Sequence, residues 1–221
     1  MDDARSRLLD AAGPVFAEKG YQAATVREIC QAAGVNIAAV NYYFGEKERL
    51  YIEAVKQASR TRAVQVPFPD WTEETAAETK LRDFVRTLLT RMMGSDRVPW
   101  QSRLMLREIM RPTSACRELA EEHFRPQFET LLAILDELLP QHSPPHTKRQ
   151  VGYSVVGQCM FYRVAGDVVS MLTPQDELQQ HFLPEQLAEH IAKFTLAALA
   201  RPERFEARTT KKPFPNSSGV S

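Results

Sequence analysis

Between residues 5 and 19 the apolar positions fall at Leu8, Leu9, Ala12, Val15 and Phe16, the three-and-four spacing that puts side chains on one face of a helix. Gly20 then supplies a helix stop. Thr25 precedes Val26, Ile29, Cys30 and Ala33 and has Glu28 three residues on, a pattern in which hydroxyl and carboxylate satisfy each other's backbone donors. A second, short helix is predicted to start there. Gly34 interrupts it, and Asn36 offers an acceptor to cap a third helix from about Ile37 to Tyr43. Two short helices meeting at a glycine-containing turn are the grammar of a helix-turn-helix, with Ala33 and Val35 small enough for close packing. A fourth helix over residues 46–62 carries Leu50, Ala54 and Val55 inward.

The run Val66-Pro67-Phe68-Pro69-Asp70 breaks the pattern, since two prolines fix an extended segment and remove backbone donors, and it marks a domain boundary. Thr75 and Glu78 form a second capping-box candidate, opening a helix to about Met93 with Leu81, Phe84, Val85, Leu88 and Leu89 on one face. A helix from Trp100 to Met110 stops at Pro112. Periodicity resumes from Ala115 to Leu139, where Pro126 implies a kink or break, and Pro140 and Pro144-Pro145 enforce a loop. Two later helical stretches, Lys148 to Leu172 and Pro184 to Ala200, have wide apolar faces that include Val155, Cys159, Tyr162, Val169 and Leu172, then Leu187, Ile191, Phe194 and Ala198. Faces that wide predict packing on both sides. Beyond Arg201-Pro202 the apolar face vanishes, so residues 203–221 read as a disordered tail. The expected fold is all-α, with a helix-turn-helix domain and its linking fourth helix over residues 1–63 and a larger helical ligand-binding and dimerisation domain over residues 64–202.

Composition narrows the classes. The 221 residues, 43% hydrophobic and 25% charged, bury a core without disulfide staples. Three widely spaced cysteines, Cys30, Cys116 and Cys159, suit small buried hydrophobes in a reducing cytoplasm. The acidic, polar start lacks the basic end and apolar run of a signal peptide. The longest apolar-leaning stretch, Val151 to Tyr162, falls well short of the roughly 20 residues that span a bilayer. A cytoplasmic location without membrane attachment is expected. Basic and acidic residues balance at 28 each, and residues 1–60 hold eight of either sign, so charge alone announces no nucleic acid.

Catalytic patterns are missing: there is no Gly-x-Ser-x-Gly elbow, no His-Glu-x-x-His and no glycine-rich phosphate loop, and the run from Gly152 to Gly157 misses the elbow by one residue inside a helical stretch. No enzyme and no cofactor is expected. His142 and His146 are four apart, but the prolines between them defeat the helical spacing of a metal pair, and no metal site is expected.

The segment from Leu8 to Leu50 combines three features: the AA…F..KG end of the first helix, the T.REI…AGV core of the helix-turn-helix, and the YYF..K.. opening of the fourth helix. Over more than forty residues it closely resembles the DNA-binding domain of TetR-family transcriptional regulators. Through VNYYFG, REIMRP and GQCMFYR the chain is also similar to the CecR-like subgroup. The resemblance implies an all-helical homodimer, one reading head per subunit, double-stranded operator DNA as partner, and a C-terminal domain that dimerises through the last two helical stretches and binds a small inducer. It further implies a repressor of export or drug-tolerance genes. The competing reading is a helical small-molecule or protein binding module that does not act through DNA.

A recognition helix reads base edges with its outward side chains while neighbours hold phosphates. Here the resemblance places Ile37, Ala38 and Asn41 toward bases, with Arg27 projecting from the preceding helix, and Asn36, which opens the helix, also belongs to the DNA-binding set. Arg suits guanine, Asn adenine, and small apolar groups the thymine methyl. Thr25, Tyr42, Tyr43 and Lys47 are the phosphate clamps by the same resemblance, whereas in a generic chain the tyrosines would be core and Lys47 and Arg27 solvated surface. In the C-terminal half Trp100, Met105, Phe124, Phe128, Met160, Phe161 and Tyr162 read either as core or as a pocket lining. Arg163 and Asp167, four apart, read either as an intrahelical ion pair or as polar anchors in that pocket.

Overall fold

The computed structural model describes residues 3–94 and 100–200, and every regular element within them is helical. The head comprises α1 (Asp3–Ala23), α2 (Val26–Ala33), α3 (Ala38–Phe44) and α4 (Lys47–Gln65). The body comprises α5 (Ala77–Met93), α6 (Trp100–Met110), α7 (Ala115–Leu119), a π-helical turn (Ala120–Phe124), α8 (Arg125–Leu138), α9 (Pro145–Val164), α10 (Gly166–Leu172), α11 (Gln175–His181) and α12 (Pro184–Leu199). The all-α expectation holds. The tail predicted over residues 203–221 lies outside the described residues.

Several boundaries differ from the sequence reading, each for a local reason. Gly20 bends α1 instead of ending it: its φ of 79° leaves helical space, and helical geometry resumes to Ala23. The carbonyl of Glu18 just before the bend accepts from Arg107 Nη2 at 3.0 Å. The capping box read at Thr75 and Glu78 does not form. Thr75 Oγ1 accepts instead from Thr72 N at 3.0 Å, which closes the preceding turn, and α5 begins at Ala77 without a side-chain cap. Pro126, which has no N–H to donate, breaks the run from Ala115 as expected, and a π turn precedes it, whose closing bond runs from Arg125 N to Ala120 O. The stretch after Pro145 divides at Ala165 into α9 and α10, and α11 is an element that the apolar pattern did not show.

Two cores hold the chain. One gathers Leu8, Phe16, Ile29, Val40, Phe44, Leu50 and Val55 from the head, and it also takes Leu104, Ala115 and Leu119 from α6 and α7. The other packs α5, α8, α9 and α12 through Leu81, Phe84, Leu135, Val155, Cys159 and Ile191. The head therefore has no floor of its own: α6 and α7 supply it, and α4 runs past residue 63 to Gln65. Trp100 tightens this junction by laying its ring where a Cβ on Gly13 of α1 would sit.

Candidate nucleic-acid interface and ligand cavity

The geometry of the reading head begins at the capping box of α2. Thr25 Oγ1 accepts from Glu28 N at 3.2 Å, and Glu28 Oε2 accepts from Thr25 N at 3.1 Å. Lys19 Nζ donates to the same carboxylate at 2.6 Å. These donors hold the Glu28 carboxyl below its usual range, Lys19 first and Thr25 next. At the other end Gly34 takes the left-handed conformation, φ 63°, which lets Val35 N reach Cys30 O at 3.0 Å. The chain turns, and Asn36 Oδ1 accepts from Ala38 N at 2.9 Å to start α3.

Val40 and Phe44 bury one side of α3. The opposite side presents Asn36, Ile37, Ala38, Asn41 and Tyr42, with Ile37 49% and Tyr42 82% exposed. An isoleucine left this open at the cap of α3 and a tyrosine left this open on it are not explained by folding of the chain itself. Arg27 is exposed on α2, and Tyr43 is half-buried, edge-on to Tyr42 at 4.8 Å. Lys47 lies 4.7 Å over the Tyr21 ring and donates to Gln22 O at 3.3 Å, which positions its ammonium at the start of α4. Thr25 is exposed, but its hydroxyl is engaged by Glu28 at 3.0 Å.

In the body, α5, α6, α8, α9 and the π turn, with Arg62 from the end of α4, surround a cavity of about 470 Å³. Met105, Phe124, Phe128, Met160 and Arg163 line it. The other residues singled out from sequence do not: Trp100 packs into the first core, Tyr162 packs against Phe182, Phe161 is more than half exposed, and Asp167 is exposed on α10. Nor do Arg163 and Asp167 form an ion pair at hydrogen-bond distance among the described residues.

Composition could not reveal much of the polar lining, including Arg62, Arg91 and His123. Arg62 closes the end of α5 by donating to Thr90 O at 2.9 Å and Arg91 O at 2.9 Å. Arg91 returns the arrangement, donating to Val66 O at 2.8 Å and lying 4.4 Å over the Phe68 ring. Burial depresses both guanidinium pKa values. The His123 ring is held at about 4, chiefly by burial and secondarily by the Arg91 charge, and the Gln127 amide sits 2.6 Å from its Nε2.

One helix belongs to both regions. From α6, Ser102, Met105, Leu106 and Ile109 face the cavity, while Arg107 and Glu108 grip the head. The fully buried Glu108 carboxylate accepts from Tyr51 Oη of α4 at 2.6 Å and from Thr113 N at 2.7 Å. Beside it Lys56 of α4 bridges Glu118 at 3.0 Å and Glu122 at 2.6 Å.

A short helix presented outward on a glycine turn, seated on a larger helical body, defines a helix-turn-helix DNA-binding regulator. Residues 8–54 match the family described as bacterial regulatory proteins, tetR family, and residues 77–199 match the C-terminal domain of the HTH-type transcriptional dual regulator CecR. The chain belongs to the TetR family of transcriptional regulators, with a body of the CecR type. It is 26% identical to the transcriptional dual regulator CecR of Shigella flexneri, over 78% of this chain and 81% of that protein. It is 28% identical to the transcriptional repressor AcnR of Corynebacterium efficiens, over 61% of each. The match thus spans about three fifths of the AcnR length. A tetR-family regulatory protein from Rhodococcus RHA1 shares the fold at a TM-score of 0.64 and 18% identity, covering 90% of this chain and 98% of that one. These relatives are transcriptional regulators, not enzymes. No helix among the described residues is long and apolar enough to cross a membrane.

Proposed function

We propose that the protein is a homodimeric repressor that reads a near-palindromic operator with one α3 per subunit and is released when a small molecule occupies the cavity in its body. The observation that carries the reading is the outward face of α3, where Ile37 and Tyr42 stand open beside Asn41. Ile37, Ala38, Asn41 and Arg27 are assigned to base edges, and Tyr42, Tyr43, Lys47 and Thr25 to phosphates, with Asn36 ordering the start of the helix.

Dimerisation is assigned to the outer faces of α9, α10 and α12. Phe161, Val164, Val168, Met171, Leu172 and Phe194 are all exposed there in the single chain, which supports a self-complementary apolar interface. Release follows from α6: a ligand favouring one position of Met105 and Ile109 biases Arg107 and Glu108, and through them the angle of the head. The regulated genes are proposed to include export or drug-tolerance functions, with the protein acting in the cytoplasm.

Selection of bound duplexes from a fragmented genomic library at two salt concentrations tests the reading. A short near-palindrome should emerge, and Tyr42→Ala combined with Lys47→Ala should abolish its retention while sedimentation still reports a dimer. Recovery of no sequence above non-specific retention at either salt would leave the protein a binding module that does not act through DNA.

A further inference from the structure

The cavity carries a charge pattern that narrows what it holds. Its lining contains four guanidiniums, Arg62, Arg91, Arg125 and Arg163, and no carboxylate among the described residues. Three of the four have partners. Arg62 and Arg91 donate to backbone carbonyls, which satisfies their hydrogens without cancelling their charge. Arg125 is held in a forked pair by Glu121, with both bonds at 2.7 Å.

Arg163 differs. Its Nε is fully shielded from solvent and has no hydrogen-bond partner. Arg103 adds a second positive charge nearby, and the exposed Asp167 offsets it only weakly. No hydrogen bond or ion pair from the chain holds this guanidinium among the described residues, so its charge is left for an acceptor from outside. Apart from Ser102, His123 and Gln127 the rest of the surface is mostly apolar, with Phe84, Leu88, Met105, Phe128, Tyr153 and Met160. His123 is neutral at physiological pH and adds no charge.

We propose that the cavity takes an amphipathic organic acid, with the carboxylate or a comparable anionic head on the Arg163 guanidinium and an aromatic or aliphatic body among Phe84, Met105, Phe128 and Met160. This rests on the cavity being the effector site. An anion is favoured over a neutral ligand because Arg163 gains a charge-assisted bond and the positive field of the lining loses its self-repulsion. A cation is disfavoured by the same field.

Three probes with one body and different heads test it: 4-biphenylcarboxylate, 4-biphenylmethanol and 4-biphenylmethylamine, each titrated calorimetrically into the full chain without DNA. The carboxylate should bind at least about tenfold more tightly than the alcohol, and the amine more weakly than either. Arg163→Gln should remove the preference for the carboxylate while leaving the alcohol's affinity within about twofold, and Arg163→Lys should restore part of it. Equal binding of the three heads, tighter binding of the amine, or no binding by the wild-type chain overturns the proposal, and none of these depends on the variant folding. Retention of the selected operator is measured on the same samples. Tight carboxylate binding that leaves operator affinity unchanged would sustain the site and sink the effector reading.

Discussion

Replacing Tyr51 by Phe removes one oxygen from the junction between head and body. The ring should stay where it is, because it packs edge-on to Phe16 at 4.9 Å and against Tyr21 at 5.1 Å, and Phe fills the same space. What is lost is the bond to Glu108 Oε2 at 2.6 Å. The carboxylate is fully buried, so no water replaces the hydroxyl, and among the described residues Glu108 keeps only Thr113, through N at 2.7 Å and Oγ1 at 3.0 Å. A hydrogen bond to a buried charged group is worth about 2 kcal/mol. For a chain of this size that corresponds to a fall in Tm of about 4–8 °C. Burial and the Glu108 carboxylate both hold the Tyr51 phenol protonated far above its ordinary pKa, so the loss should be the same at neutral and at moderately alkaline pH. Urea unfolding at fixed protein concentration, with a cycle through Glu108→Gln, measures it. A loss below about 0.5 kcal/mol, or a coupling energy near zero in the cycle, would refute the claim that this bond fastens α4 to α6.

Two further outcomes follow from the same packing. Gly13→Ala should destabilise by about 1–3 kcal/mol, because the added methyl overlaps the Trp100 ring, and Trp100→Leu in the same chain should recover part of the loss; equal stability of Gly13→Ala and wild type in urea would contradict that contact. His123 titrates near 4 when folded and near its ordinary 6.5 when unfolded, so the unfolded chain binds the extra proton first and stability falls as pH drops from about 6.5 to 4. Allowing for the ring's partial exposure, this component is about 1–2 kcal/mol. It should be absent from the pH profile of His123→Gln, and an unchanged profile would remove His123 as its source.

The reading head was legible in the sequence because its instructions are local. Thr25 with Glu28, Gly34 at φ 63° and Asn36 bonding Ala38 each act within four residues, and the apolar spacing of Ile29, Val40 and Phe44 supplies the rest. The cavity is assembled from six separate elements and was only partly legible. Bulky residues alone could not separate Phe128, which lines it, from Phe161, which faces outward. A stripe did exist: Tyr153, Val156, Met160 and Arg163 follow the three-and-four spacing on α9 and together form one wall. Arg62 and Arg91 gave no such signal, since each acts by meeting carbonyls nearly thirty positions away, 28–29 for Arg62 and 25 for Arg91. The failed capping box at Thr75 shows the opposite error, a correct local motif outcompeted by the turn with Thr72.

Because α6 both walls the cavity and floors the head, its residues serve two masters. A change at Met105 or Ile109 that suits a new ligand also shifts the support under α1 and α4. The walls on α8 and α9 have no such tie: Phe128, Tyr153 and Met160 touch the cavity without belonging to the head's core, whereas α5 is held to α4 through Arg62. On the effector role proposed for the cavity, retuning should therefore proceed by varying those two walls and leaving α6 alone, so that what is bound and how the head responds become separately adjustable properties of one chain.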